Sequence, residues 1–441
     1  MNRKISLGMA IALAAVIAAF AVVITYTAAI RIFDGRMRSV TERQNMYQLL
    51  SEIDMTVRQH YDGELSSGYL QRGISEGYIA GMNDPYCAYL SPDEYQLAVN
   101  EEQGYSFGFG MEIGRASDGN ILVNVVHDGS PAGKAGLKTG DLIVRVGDKD
   151  VLAVGYDKAV ALIGEASPRV SVTVSRSGQR AAYELTRSKF QTKTVKYRVT
   201  GEDIGVITVY GFDAGTPAQF NAALAKLRNS DVKGLVIDLR DNGGVGYEYA
   251  CEAADTLLPS GPLMSVTGRD GIPVQKYTSD NKYIDLPAQV LVNGSTEGAA
   301  ELFAAAMLSY GRAETVGTAT AGHVTVQELF PLSNGGAVRL TTGRWSDTME
   351  KYLTDGRIQP QFEVMLTAYQ TTHRYQLADA DDPQLQTAVE RIRTAISLRE
   401  EAEAEENADE AGEETPQTTT TTATVLTENQ TAKATTAATK K

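Results

Sequence analysis

The 441-residue sequence predicts an α/β multidomain protein. Three observations carry this. Beyond residue 200, continuous apolar strands alternate with helical segments; ahead of them lies a stretch of short strands broken by glycine turns; and Ile5–Ile30 holds no charged residue. The net charge of −14, from 41 Lys+Arg against 55 Asp+Glu, argues against a nucleic-acid partner, which calls for a basic surplus. Two cysteines, Cys87 and Cys251, make no disulfide scaffold and, falling in different predicted domains, are expected unpaired. Four scattered histidines show no metal-ligand spacing, so neither a metal nor a cofactor is expected.

In order along the chain, residues 1–39 come first. As a helix, Ile5–Ile30 would span about 39 Å at roughly 1.5 Å per residue, against a hydrocarbon core of about 30 Å. The run exceeds the apolar region of a cleaved signal peptide, about 7–15 residues. An uncleaved, single-pass transmembrane helix is expected, meeting the membrane through residues 5–30. Arg3 and Lys4 would hold the amino end in the cytoplasm and place the bulk of the chain outside the cell membrane; Arg31, Arg36 and Arg38 weigh the other way. Residues 40–100 read as helical, with Tyr47, Leu50, Ile53 and Val57 at helical spacing.

Residues 101–190 read as one compact domain. The run Phe107–Ile113 leads to an Asp118-Gly119 hairpin turn and the strand Ile121–Val126. Ser130-Pro131-Ala132 opens a short helix stopped at Gly136, Tyr156–Ile163 is an amphipathic helix, and Arg169–Ser175 a strand. Residues 191–398 hold the apolar strands Ile204–Val209, Gly234–Ile237 and Val290–Val292, with helices at Pro217–Leu227, Tyr247–Leu258 and Ala299–Ser309. Such strands imply a sheet covered on both faces, with its site outside the strands' carboxyl ends. Two glycine-rich turns stand there, Arg240–Gly244 and Asn293–Gly298, and their N–H groups could face an anion or a developing oxyanion. Turns of this kind use glycine even without a function. Residues 399–441 are expected to be a disordered spacer: 400–441 holds ten acidic residues against three lysines, or −7.

Several motifs follow one another in a telling order. They are Asp84-Pro85-Tyr86 with Tyr89-Leu90-Ser91-Pro92, then Gly108-Phe109-Gly110-Met111, Ser130-Pro131-Ala132 and Gly140-Asp141. Next come Asp238-Leu239-Arg240-Asp241-Asn242-Gly243-Gly244, Ala299-Ala300-Glu301-Leu302, Val326-Gln327 and Asp382-Pro383-Gln384-Leu385. From about residue 40 to 395 this series resembles the carboxyl-terminal processing serine peptidases, or tail-specific proteases. The resemblance implies a PDZ domain over 101–190 and a ClpP/crotonase-like α/β peptidase core over 191–398. It also implies that Gly108, Phe109, Gly110 and Met111 receive the terminal carboxylate of a peptide that adds as a strand along the helix Tyr156–Ile163.

The family works through a serine–lysine dyad, and here the resemblance breaks. Counting from Glu301 puts Gly298 at the serine position; counting from Gly322 puts His323 at the lysine position. Gln327 matches a residue that supports the lysine, and Gly244 and Ala299 match oxyanion-hole positions. The reading is a membrane-anchored pseudopeptidase that binds protein C-termini or unfolded polypeptides, as a scaffold or a regulator of an active paralogue, with homo-oligomer formation left open. The alternative is an active serine-type endopeptidase with a rebuilt centre, using Ser295 or Thr296 with His323 as base, that processes exported proteins near their C-termini.

Overall fold

The computed structural model describes residues 40–166, 168–244, 246–346 and 352–413, together with Phe20 and Thr25. The rest of the apolar segment 5–30 lies outside the described residues, as does the tail from 414. Among the described residues no helix is long and apolar enough to cross a membrane.

The chain divides into two units, residues 1–81 and 82–441. The first contains helices over residues 40–60 and Ser67–Ala80. The second begins earlier than the expected boundary at residue 100. The reason is local: Ala88–Leu90 forms a strand that pairs antiparallel with Ala337–Arg339, tying residues 82–100 into the larger unit.

The main sheet of that unit has six strands in the order 195–200, 204–209, 234–238, 288–292, 313–317, 362–363. The first pair is antiparallel and the others are parallel. The helices Thr216–Arg228, Tyr247–Asp255 and Ala299–Ser309 cover one face, where Phe220, Leu224 and Phe303 are fully buried. The helix Pro383–Glu413 covers the other through Leu385, Ala388, Val389 and Ile392. This double coverage is what the continuous apolar strands required. A second, antiparallel sheet joins Ala88–Leu90 to the hairpins Gly261–Gly268/Pro273–Ser279 and Thr325–Pro331/Ala337–Ser346.

The domain over 101–190 carries a sheet in the order 111–115, 121–126, 142–146, 169–176, 179–186, closed by the helix Tyr156–Glu165. The expected run Phe107–Ile113 is two strands, Tyr105–Gly108 and Met111–Arg115. Gly110, at φ +73°, turns the chain between them. The carboxyl end also departs from expectation. The helix that starts at Pro383 runs on to Glu413 because the acidic stretch is built of alanine and glutamate, both good helix formers, so no break falls at 398/399.

Candidate active site

Both glycine-rich turns stand at the carboxyl ends of neighbouring parallel strands, Gly234–Asp238 and Ala288–Val292. The first is braced by a buried charge network. Arg240 bonds both oxygens of Asp238 and both of Asp382, which opens the segment before the helix Pro383–Glu413. Burial opposes ionisation of Asp238, but the Arg240 guanidinium outweighs it and holds the carboxyl at about 2. The Asp-Leu-Arg motif is thus a clasp that fixes the turn.

The second turn ends at Gly298, the N-cap of the helix Ala299–Ser309, with φ 58° and ψ −116°. Only glycine takes this conformation without strain. Glu301, fully buried three residues on, accepts the Gly298 N–H at 3.0 Å, the Gly322 N–H at 2.8 Å, the His323 N–H at 2.8 Å and the Thr320 hydroxyl. One carboxylate therefore locks together the two loops that carry Gly298 and His323, the positions singled out in the sequence. Four donors satisfy this buried carboxyl group, which among the described residues is in no ion pair.

A Cβ built on Gly298 would lie 3.8 Å from His323 Nδ1 and 3.3 Å from the Tyr247 hydroxyl, so position 298 faces the imidazole. It would also lie 2.7 Å from the Gly244 carbonyl oxygen, a contact real side chains do not make. That oxygen accepts the Ala299 N–H at 3.0 Å, and the Gly244 N–H is given to Asn242 Oδ1 at 3.0 Å. Both amides expected to receive an oxyanion are bonded within the chain.

The His323 ring lies parallel to Tyr86, centroids 3.5 Å apart, and Nδ1 meets Glu297 Oε1 at 2.9 Å. Nε2 is buried and unpartnered. Burial first, then the carboxylates Glu297, Glu301 and Asp84, push the Tyr86 phenol upward. Among the described residues no hydroxyl hydrogen-bonds either ring nitrogen. The Thr296 hydroxyl is donated to the Leu239 carbonyl at 2.9 Å, that of Tyr247 to the Thr325 carbonyl at 2.7 Å, and Ser295 is exposed in the turn. Gln327 Nε2 bonds the hydroxyls of Thr325 (2.8 Å) and Thr341 (3.2 Å), while its Oε1 is buried without a partner. Sequence reasoning noted Tyr86 within a motif and Glu297 within a turn but gave neither them nor Tyr247 a place in the site. The one signal was that Glu297 adjoins Gly298. Among the described residues no group of three or more His, Cys, Asp or Glu side chains could hold a metal ion.

The loop Gly108-Phe109-Gly110-Met111 stands at an open sheet edge, since Met111–Arg115 pairs only with Ile121–Val126. The Phe109 carbonyl accepts from Ala132 N–H, and that of Gly110 from His127 N–H and the Ser130 hydroxyl. Among the described residues the N–H groups of Phe109 and Gly110 have no acceptor. Met111, Ile113, Tyr156 and Val160 all pack, partly buried, against one apolar cluster. Free donors beside an unpaired edge are what a terminal carboxylate on an added strand needs.

Residues 203–364 match Peptidase family S41, and residues 96–175 match the PDZ domain. The chain is 28% identical over 336 residues to the carboxy-terminal processing protease CtpA of Bacillus subtilis, covering 75% of this chain and 72% of the relative. It is 26% identical over 354 residues to a CtpA-like serine protease of Staphylococcus aureus, covering 78% and 69%. The crystal structure of an S41 protease from Bacteroides fragilis is similar in fold, with a TM-score of 0.56 and 20% identity, covering 78% of this chain and 97% of that one.

Proposed function

We propose that this chain, which belongs to peptidase family S41 and carries a PDZ domain ahead of its peptidase core, binds the C-termini of other polypeptides without cleaving them. The observation that carries the reading is Gly298. The residue that faces the imidazole has no side chain to serve as nucleophile. The closed Ala299 amide supports it from the other side, because an acyl-transfer centre needs free donors where the oxyanion forms. The PDZ loop, with its two free amides, supplies the carboxylate site. The uncharged run Ile5–Ile30 supports a single-pass anchor in the cell membrane with the folded units outside the cytoplasm. Such a protein would shield C-termini, scaffold partners or regulate an active paralogue.

A second reading, an active endopeptidase, is favoured by the His323–Glu297 pair. A carboxylate on one ring nitrogen with the other free is the orienting half of a catalytic triad. One experiment separates the two. The chain is incubated with unfolded polypeptides ending in apolar residues, and products are followed by mass spectrometry. The expected result is binding with no cleavage. Turnover abolished by Ser295→Ala or His323→Ala would overturn the pseudopeptidase reading.

A further inference from the structure

Beside Tyr247 and Gln327 the fold leaves a cleft of about 760 Å³. Its walls are the helix Pro92–Glu102, the start of the helix Tyr247–Asp255, the hairpin Gly261–Gly268/Pro273–Ser279 and the strand Thr325–Pro331. Tyr95, Val99, Met264 and Tyr277 give it an apolar, aromatic lining. Four carboxylates line it as well, Glu101, Glu102, Glu248 and Glu328, against the single cation of Arg339. Among the described residues none of the four is in an ion pair. Uncompensated like charges along an apolar wall destabilise the empty protein and focus a negative potential into the cleft. Burial first, and then Glu248, Cys251 and Glu328, push the Tyr277 phenol up to about 12.

Two further observations point to a polypeptide occupant. Among the described residues the strand Thr325–Pro331 pairs only with Ala337–Ser346, so its other edge has no strand partner, although the Tyr247 hydroxyl already takes the Thr325 carbonyl at its start. Gln327, half-buried on that strand, lines the cleft; its Nε2 is held by Thr325 and Thr341, while its Oε1 is buried with no donor. A divalent cation does not fit, since among the described residues no three acidic side chains converge to hold one. An acidic segment would be repelled.

We propose that this cleft takes an extended polypeptide along the edge Thr325–Pro331 and selects a lysine or arginine side chain of it through Glu101, Glu102, Glu248, Glu328 and the Gln327 carbonyl. The proposal rests on the polypeptide-binding reading above and adds its substrate class: apolar segments bearing a positive charge.

The test measures fluorescence anisotropy of two labelled nonapeptides of alanine and valine binding to the full chain in detergent. One carries a central lysine and the other a central glutamate. Both are amidated at the C-terminus, which removes the carboxylate the PDZ loop would take. The lysine peptide is expected to bind at least tenfold more tightly at low salt, with the gap narrowing at high salt. The double variant Glu248→Gln/Glu328→Gln should shrink the gap to under threefold and leave binding of a free-carboxylate peptide unchanged. Equal affinities, no binding of either peptide, or a preference that survives the double substitution would each overturn the proposal. Cleavage of the bound peptide would instead overturn the non-cleaving reading and leave the charge preference standing.

Discussion

The Gly244 carbonyl accepts the Ala299 N–H at 3.0 Å, and the same oxygen lies 2.7 Å from where a Cβ on residue 298 would be. The missing side chain and the closed amide are therefore one structural fact: the carbonyl occupies space that any larger residue at 298 would claim. Gly298→Ala should push the Gly244 carbonyl aside and free the Ala299 amide. The substitution should cost about 1–3 kcal/mol, because φ 58° with ψ −116° is strained for any residue with a Cβ. Urea denaturation would give the loss, and amide hydrogen exchange by NMR should show the Ala299 N–H exchanging faster. An unchanged exchange rate would mean that the carbonyl does not depend on the glycine.

Glu301 is the joint between the two loops. Glu301→Ala would strand four buried donors from Gly298, Thr320, Gly322 and His323. A loss of roughly 3–5 kcal/mol is expected, near the upper end for one substitution. Glu301→Gln keeps one acceptor oxygen and should cost less than half as much. Equal denaturation midpoints for the two variants would refute a role built on both oxygens.

The parallel sheet was legible because strands such as Gly234–Asp238 are apolar at nearly every position, a pattern few other environments produce. The helix Ala299–Ser309 was legible to the residue for a similar reason. The antiparallel sheet was not. Its hairpin over 261–279 includes the exposed Gln275 and Lys276, and half-solvated strands lack a continuous apolar signal. Within the site, Gly298 and His323 could be placed by counting from Glu301 and Gly322. The stacking of Tyr86 on His323 could not, because it depends on a sheet pairing between Ala88–Leu90 and Ala337–Arg339 that no local pattern announces.

Acid should weaken the clasp below the first turn. Asp238 titrates at about 2 in the fold, against roughly 3.9 unfolded, because the Arg240 guanidinium outweighs burial. A depressed carboxyl pKa contributes stability that is complete above pH 4 and is lost as pH falls toward 2, here roughly 2–3 kcal/mol. Arg240→Met would leave the buried Asp382 without its cation and Asp238 with only Arg374, 3.7 Å away, and should cost about 3–5 kcal/mol at neutral pH. It should also shrink this share of the acid loss, since only Arg374 would then oppose the burial of Asp238. Urea midpoints at pH 7, 4 and 3 check this; parallel pH profiles for the variant and the parent would contradict it.

The loop proposed to take a peptide carboxylate in the PDZ domain depends on Gly110, whose φ is +73° and where a Cβ would fall 2.1 Å from Ser130 Cβ. Gly110→Ala must displace the loop from the Ser130 segment that holds its carbonyl, and with it the free amides of Phe109 and Gly110. Binding of a free-carboxylate peptide should weaken at least tenfold, about 1.4 kcal/mol. Amidating the peptide should weaken its binding to the parent by a similar factor. Gly129→Ala separates this from general backbone strain. Gly129 has nearly the same φ, +75°, with nothing within 4 Å of its Cβ position. It should lose comparable stability but keep the peptide. If both variants lose binding equally, or if amidation has no effect on the parent, the loop is not the carboxylate site.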